Sequence, residues 1–172
     1  MKSKDIAIVG ILLAVGAILR YFLAMLHTPL TPNMIIAFYC LAIMLIAPKI
    51  YEAVGIGLVA GILSMLISGS IFPPANLISE PLGALVCFVL YALIKNRSKL
   101  APTATTFLVT LVSGFTFAAI AIIAVAPMIL ARYATMEGFM IVFVPIVVIT
   151  AVFNAIIVQI LYIPSNRVLS RE

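Results

Sequence analysis

Long apolar runs separated by short polar breaks dominate this chain. A helix that crosses a bilayer needs about 20 predominantly apolar residues, within a range of about 17 to 25. Six runs qualify or nearly do: Ile6–Leu26, Asn33–Ala47, Ala53–Ile71, Leu77–Ile94, Thr103–Ala126 and Gly138–Ile163. The second is short for a full span, so a thin, tilted or partly embedded helix is left open. The pattern predicts an all-α bundle of six transmembrane helices.

The composition of the chain indicates whether this bundle is surrounded by water or by lipid. Of the 172 residues, 66% are apolar and 9% are charged, too few polar side chains to cover a soluble domain of this size. Most of the surface is therefore expected to face lipid, in the cell membrane. The runs leave only short loops, so residues 1–172 are predicted to form a single membrane domain with no nucleotide-binding module. The N-terminal run is interpreted as a retained helix rather than a signal peptide.

The basic residues predict the orientation of the bundle. If six helices alternate, only Arg20 and Arg132 fall on one side. The other eight share the opposite side: Lys2, Lys4, Lys49, Lys95, Arg97, Lys99, Arg167 and Arg171. Positive charge collects on the cytoplasmic side of membrane proteins, so both termini are predicted to be cytoplasmic. The net charge of +5 thus reflects topological anchors and not a nucleic-acid-binding patch.

The motifs of several function classes are missing from the sequence. There is no Gly-x-x-x-x-Gly-Lys-Ser/Thr loop for ATP, no Gly-x-Ser-x-Gly elbow, and His27 is the only histidine. All five acidic residues lie at ends of predicted helices, so we expect no carboxylate pair inside the membrane. Cys40 and Cys87 lie within predicted helices and are interpreted as buried thiols. The sequence predicts neither an enzyme nor a proton-driven pump, and no metal or cofactor.

The first helix carries small residues on one face. The four positions, at steps of 3, 4 and 3, are Ala7, Gly10, Ala14 and Ala17. In lipid, small residues let helix backbones approach closely. The stripe is therefore a helix-contact surface, and two partners remain open: another helix of this chain, or a separate membrane subunit.

The last two predicted helices carry polar side chains within the membrane. A hydroxyl stripe on the fifth consists of Thr103, Thr106, Thr110 and Ser113. Such hydroxyls most often bond preceding carbonyls or pack on a neighbour. Thr150 and Asn154 lie one turn apart in the sixth helix, where an unpaired amide costs about 1–3 kcal/mol. Asn154 either locks two helices together or faces a polar ligand.

Polar residues also cluster at the predicted outer mouth. They are Arg20, Tyr21, His27, Asn76, Glu80, Arg132, Tyr133 and Glu137, with Phe22, Met34 and Phe72 close by in sequence. Cations, anions, amides, rings and a thioether suit a small zwitterion with an apolar body. The alternative is interfacial anchoring, because such side chains also reach the lipid headgroups. Ser79 is predicted to cap the fourth helix, with Glu80 in its first turn.

Several short motifs carry a resemblance to a known family. They are Met-Lys-Ser-Lys-Asp-Ile at 1–6, Gly-Ala-Ile-Leu at 16–19, Leu-Thr-Pro-Asn-Met at 30–34, Asn-Leu-Ile-Ser-Glu-Pro at 76–81 and Phe-Asn-Ala-Ile at 153–156. In this order they resemble the tryptophan transport protein family, among the substrate-binding (S) components of energy-coupling factor (ECF) transporters. The resemblance implies an outward-opening pocket covered by the loops after helices one, three and five.

The resemblance also implies partners and residue roles. The partners are a transmembrane coupling subunit and two cytoplasmic ATPases, and the substrate is tryptophan or a related aromatic compound. The coupling subunit would contact Gly10 and Ala14, flanked by Ala7 and Ala17. Expected substrate contacts are Asn76, Glu80 and Asn154 as polar groups, Arg20 or Arg132 for a carboxylate, and Met34 and Tyr133 for the apolar body. The alternatives are a vitamin-binding S component, a solitary ion-coupled secondary transporter, or a membrane protein without a ligand.

Overall fold

Six α-helices form the protein in the computed structural model, which describes residues 1–25 and 31–169. They are α1 Ser3–Ala24, α2 Ile35–Ile46, α3 Ile50–Ile67, α4 Asn76–Ile94, α5 Ala101–Tyr133 and α6 Met136–Leu169, with a 3₁₀ turn at Pro73–Ala75 before α4. No strand occurs within those two described ranges. The predicted all-α class is confirmed.

The starts of two helices follow directly from local chemistry. The Asp5 carboxylate accepts the Lys2 backbone N–H at 2.8 Å where α1 begins. The Glu52 carboxylate does the same for Lys49 at 2.7 Å at the start of α3. A carboxylate in the first turn satisfies an N–H that has no helical partner and faces the positive end of the helix dipole. Glu52 also pairs with the amino group of Met1, which ties the starts of α1 and α3 together.

The short second run forms the central helix of the bundle. Every residue of α2 from Ile35 to Met44 is buried, and α2 packs against each of the other five helices. Its 12 residues span ~18 Å at 1.5 Å per residue, less than the ~30 Å hydrocarbon core. The other five helices are long and apolar enough to cross a membrane.

The last two helices extend beyond their predicted limits. The expectations were 103–126 and 138–163, whereas α5 runs to Tyr133 and α6 to Leu169. Pro127 does not end α5; the helix kinks at Val125, with φ −136° and ψ 35°, and then resumes. Neighbouring helices and local adjustments satisfy the backbone groups that a proline frees, so membrane helices tolerate proline within them.

The first turn of α4 sets the position of the polar centre described below. This helix begins at Asn76, so the prediction that Ser79 caps it is wrong. Glu80 consequently lies one turn inside the helix and is buried. Two glycines of α3 allow the backbone of this turn to approach: a Cβ added at Gly57 would lie 2.8 Å from the Glu80 carbonyl oxygen, and one at Gly61 would lie 2.6 Å from that of Asn76.

The outer surface of the bundle is apolar. Large hydrophobic side chains are exposed on all the long helices, among them Ile11, Leu66, Leu93, Ile123 and Ile160. An apolar surface of this extent would not be stable in water. The chain is therefore a multi-pass membrane protein.

Candidate functional site

A cavity opens among the end of α1, the start of α2, the first turns of α4, and the middle of α5 and α6. Its empty space, counted out to the mouth and including open solvent there, is about 470 Å³. The lining residues are Arg20, Thr31, Pro32, Asn33, Ile36, Ser70, Asn76, Glu80, Thr110, Ser113, Gly114, Phe117, Phe143, Ile146, Val147 and Thr150. The cavity is bounded largely by helices, which makes it a defined site.

Two groups of opposite charge lie in its polar half. Arg20, in the last turns of α1, and Glu80, on α4, are each 1% exposed. One carboxylate oxygen, Glu80 Oε1, accepts hydrogen bonds from Asn33 Nδ2 at 2.7 Å and Ser113 Oγ at 3.0 Å. Within the described chain, Glu80 Oε2 and Arg20 Nε and Nη1 are buried without a hydrogen-bond partner. Both residues thus retain polar atoms whose hydrogen-bonding capacity is not used within the described chain.

Arg20 and Glu80 lie near the ends of their predicted helices, yet both side chains are buried inside the bundle. Both side chains are buried because α1 packs against α2 and α3, and α4 packs against α2, α3 and α5. Buried charges are costly, so this arrangement indicates a functional requirement.

Asn33 connects three parts of the site and was not singled out by the sequence analysis. Its Nδ2 donates to Glu80, its Oδ1 accepts the Ile35 N–H at 3.2 Å, and its backbone oxygen accepts Asn154 Nδ2 at 3.0 Å. The preference of asparagine for helix starts is a signal that could have drawn attention to it. No sequence pattern shows that the same side chain reaches α4.

Two predicted contact residues, Asn76 and Asn154, hold the framework of the site. Asn76 lines the cavity, and its Nδ2 donates to the Pro73 oxygen at 2.7 Å. Asn154 is fully buried and donates to Asn33 and to Thr110 Oγ1, the latter at 3.2 Å. Asn154 is not among the lining residues. Of the two readings left open for Asn154, these contacts favour the lock.

Three other predicted contact residues do not line the cavity. Met34 is buried but does not line it. Arg132 is exposed, with its guanidinium carbon 5.8 Å from the centre of the Tyr133 ring. Tyr133 packs on Phe139 at a centroid distance of 5.3 Å. His27 lies outside the described residues. Of the two arginines considered for a carboxylate, the structure brings only Arg20 into the cavity.

The apolar half of the cavity is a wall formed by α5 and α6. Gly114 and Phe117 come from α5, and Phe143, Ile146 and Val147 come from α6. The sequence did not predict this wall, since any apolar residue of a membrane helix can equally face lipid. The lining therefore combines charged and polar side chains with this aromatic and aliphatic wall, and α5 and α6 also contribute Thr110, Ser113 and Thr150 to it.

The hydroxyl stripe divides between two roles. Thr110 Oγ1 donates to the Thr106 carbonyl oxygen at 2.9 Å, and Thr103 hydrogen-bonds Gln159 of α6. These bonds fit the packing role expected of such hydroxyls. Ser113, one turn further along, instead points its hydroxyl at Glu80. The stripe thus contributes to helix packing through Thr103 and to the site through Ser113.

The small-residue stripe of α1 faces out of the bundle. Ala7, Gly10 and Ala14 are exposed, and Ala17 is half-buried. A Cβ added at Gly10 would meet nothing within 4 Å. The stripe is therefore not occupied by another helix in the described part of this chain.

The described part of the chain contains no cluster of three or more His, Cys, Asp or Glu side chains suited to a metal ion.

Comparison with known proteins gives one family. A family model described as "Tryptophan transporter TrpP" matches residues 2–170. The chain is 29% identical over 176 residues to the "Probable tryptophan transport protein" of Bacillus subtilis (strain 168), covering 100% of this chain and 96% of that protein. No solved structure matches the chain.

Proposed function

Because the chain belongs to the TrpP family of tryptophan transporters, we propose that its cavity binds tryptophan from outside the cell as the S component of an ECF transporter. Transport of tryptophan across the cell membrane is the role of the family. The capture site, the coupling to partners and the reorientation of the bundle are the proposed parts.

The paired charges of the cavity are the observation that carries the proposal. A free amino acid is a zwitterion, with a carboxylate and an ammonium group on one carbon. Arginine binds carboxylates through charge-assisted hydrogen bonds, and Arg20 has buried donors without partners. Glu80 Oε2 is likewise available for the ammonium group. A bound zwitterion would neutralise both buried charges, which a neutral ligand would not do.

The wall on α5 and α6 would then hold the indole ring. Phe117 and Phe143 both line the cavity, and aromatic rings attract one another at centroid distances of about 4.5–7 Å. Ile146 and Val147 add aliphatic surface. An aromatic amino acid whose ring lies on this wall and whose charged groups meet Arg20 and Glu80 would bind in one orientation.

Delivery of the substrate would require partners. The sequence has no phosphate-binding loop for ATP, so the energy would come from two cytoplasmic ATPases acting through a transmembrane coupling subunit. The exposed stripe of Ala7, Gly10, Ala14 and Ala17 is the surface proposed for that subunit. Small residues let a partner helix approach closely in lipid. ATP hydrolysis would reorient the bundle and release tryptophan inside.

Indole fluorescence tests the capture site directly. The chain contains no tryptophan, so a bound L-tryptophan is the only indole in a detergent-purified sample. Titration, excited beyond tyrosine absorption, should give a saturable blue shift. Arg20→Gln and Glu80→Gln should each weaken binding about tenfold or more, since hydrogen bonds to charged groups contribute about 1.5–3 kcal/mol.

Arg132→Gln serves as the comparison, because it removes the other arginine considered for the carboxylate. It should leave the titration unchanged. Loss of binding in Arg132→Gln with retention in Arg20→Gln would place the carboxylate elsewhere. No blue shift in folded wild-type protein would exclude tryptophan, and a vitamin panel would then separate the vitamin-binding alternative from a protein without a ligand.

A second mechanism, solitary ion-coupled transport, is favoured by the burial of Arg20 and Glu80. Such a transporter needs an ionisable group within the bundle, and Glu80 is buried there. Tryptophan uptake by the purified chain alone in liposomes distinguishes the two mechanisms. Uptake that an uncoupler abolishes would support ion coupling. Binding without uptake, restored by the coupling subunit and ATPases, would support the S component.

A further inference from the structure

Helices α5 and α6 are in close contact in the cavity wall at Gly114. A Cβ added there would lie 2.7 Å from Val147 Cγ1 and 3.0 Å from Cγ2. Real Cβ atoms do not tolerate such contacts, so any side chain at position 114 must displace Val147. Both residues line the cavity. Their contact therefore couples the helix spacing to the shape of the apolar half.

Val147 cannot easily move away from such a substitution. A β-branched side chain on a helix has one strongly preferred χ1 rotamer, and Val147 is only 7% exposed. Phe143 lies one turn earlier on the same helix and also forms the wall. Displacement of Val147 would move its methyl groups, or the α6 backbone, into the part of the cavity that the ring of a substrate would occupy.

We propose that the Gly114–Val147 contact determines ring specificity, by fixing the depth of the apolar half so that an unsubstituted indole fits and a larger ring does not. This inference rests on the proposed function, because it assumes that the substrate's ring lies against α5 and α6. In that orientation Arg20 and Glu80, which also line the cavity, bind the charged groups of the substrate. In this proposal the Gly114–Val147 contact limits the size of the ring, and Arg20 and Glu80 determine the orientation of the substrate.

Two single variants test the size limit in opposite directions. Gly114→Ala should weaken L-tryptophan binding about tenfold or more, since a methylene-sized change in an apolar pocket alters discrimination about 10- to 200-fold. Val147→Ala should deepen the wall. It should reduce the preference for tryptophan over tryptophans carrying one methyl group on the benzene ring. All of these ligands are indoles and are measured by the same emission.

The double variant Gly114→Ala/Val147→Ala gives the sharpest result. The clash at position 114 is with the two Cγ atoms that Val147→Ala removes, so tryptophan binding should be restored toward the wild-type value. Gly55→Ala is the matched control, because a Cβ there meets nothing within 4 Å. It makes the same glycine-to-alanine change in a helix away from the cavity.

The outcomes separate this inference from the proposed function. Equal affinity of the wild type for tryptophan and every ring-methylated tryptophan would overturn it, as would no rescue in the double variant. If Arg20→Gln and Glu80→Gln abolish binding while the wall variants leave ligand preference unchanged, only the inference fails. If the charge variants bind tryptophan normally, the proposed orientation fails with it.

Discussion

Single side chains decide the chemistry of this membrane protein because so few of them are polar. Glu80 receives hydrogen bonds on one carboxylate oxygen from Asn33 and Ser113, while its other oxygen has no partner in the described chain. Arg20 is buried with two donors likewise unpaired there. If Arg20 and Glu80 formed all their hydrogen bonds with each other, neither would have a polar atom left to bind a ligand. The incomplete pairing is what makes the site suited to a zwitterion.

Asn154 acts on this site from a distance. Its amide donates to the backbone oxygen of Asn33, and the Asn33 side chain donates to Glu80. Asn154→Ala removes the first of these bonds, so the loop before α2 should hold Glu80 less firmly. We expect tryptophan binding to weaken by about three- to thirtyfold, the equivalent of about 0.7–2 kcal/mol for lost hydrogen bonds, measured by indole titration.

Asn166→Ala is the control for that change, because Asn166 lies on the same helix but is exposed. It should bind tryptophan as the wild type does. Unchanged binding in Asn154→Ala would show that Asn33 is held without it. A fall in melting temperature with no change in affinity would assign Asn154 to the stability of the bundle alone.

At the scale of helices, glycine positions bring α3 and α4 into contact beside the site. A Cβ added at Gly61 would lie 2.6 Å from the Asn76 carbonyl oxygen and 3.3 Å from Leu77 Cα. These are backbone atoms of the first turn of α4, and they cannot rotate away. The spacing of the two helices at this level therefore depends on the missing side chain.

Gly61→Ala should consequently destabilise the bundle and disturb the site. Overpacking of this kind costs about 1–3 kcal/mol, and a chain of this length loses about 2–4 °C in melting temperature per kcal/mol. Tryptophan binding should weaken as well, because Asn76 and Glu80 share the displaced turns. A thermal melt in detergent and the indole titration measure the two effects.

Gly55→Ala on the same helix controls for the change in helix propensity. A Cβ at Gly55 has open space around it, and alanine favours helices over glycine by about 1 kcal/mol. Its melting temperature should stay the same or rise. Equal behaviour of the two variants would contradict the close contact at Gly61.

The helices themselves could be predicted from the sequence, but which of their residues are buried and which are exposed could not. Apolar runs and polar breaks gave six helices, since lipid requires long apolar segments. Because all the runs are similarly apolar, the sequence does not show which residues are buried in the bundle. Helix α2 lies in the centre, whereas Leu66 on α3 is 72% exposed, although both belong to similar apolar runs. Hydrophobic periodicity, which separates inside from outside in water, is weak when both sides are apolar.

The candidate site was predictable only in its polar members. Arg20, Asn76 and Glu80 stood out because charged and amide groups are rare in such a chain, and all three line the cavity. Arg132 and Tyr133 stood out for the same reason, but neither of them lines the cavity. Rarity identifies a polar residue; only the packing shows where it points.

For the whole molecule, one surface remains without a partner in the described chain. Ala7, Gly10 and Ala14 of α1 are exposed, in the half of the helix near the terminus predicted to be cytoplasmic. The cavity is at the other end of α1, beside Arg20. The proposed binding site and the proposed coupling surface thus lie on different parts of α1, so binding and coupling should respond separately to mutation.

Gly10→Leu and Ala14→Leu test this separation. Each places a large side chain where a partner helix would need close approach, while neither residue lines the cavity. Tryptophan binding by the purified chain should stay within about twofold of the wild type. Uptake by cells and copurification of a membrane coupling subunit should both be lost.

Gly55→Leu makes the same change on an outward face of α3 and should retain both uptake and copurification. Loss of uptake in this control as well would show that added bulk harms the bundle wherever it is placed. Normal uptake in both α1 variants would remove the stripe as the docking surface. Because the binding titration is made on the same proteins, a coupling defect is distinguished from a damaged site, which would lose both activities.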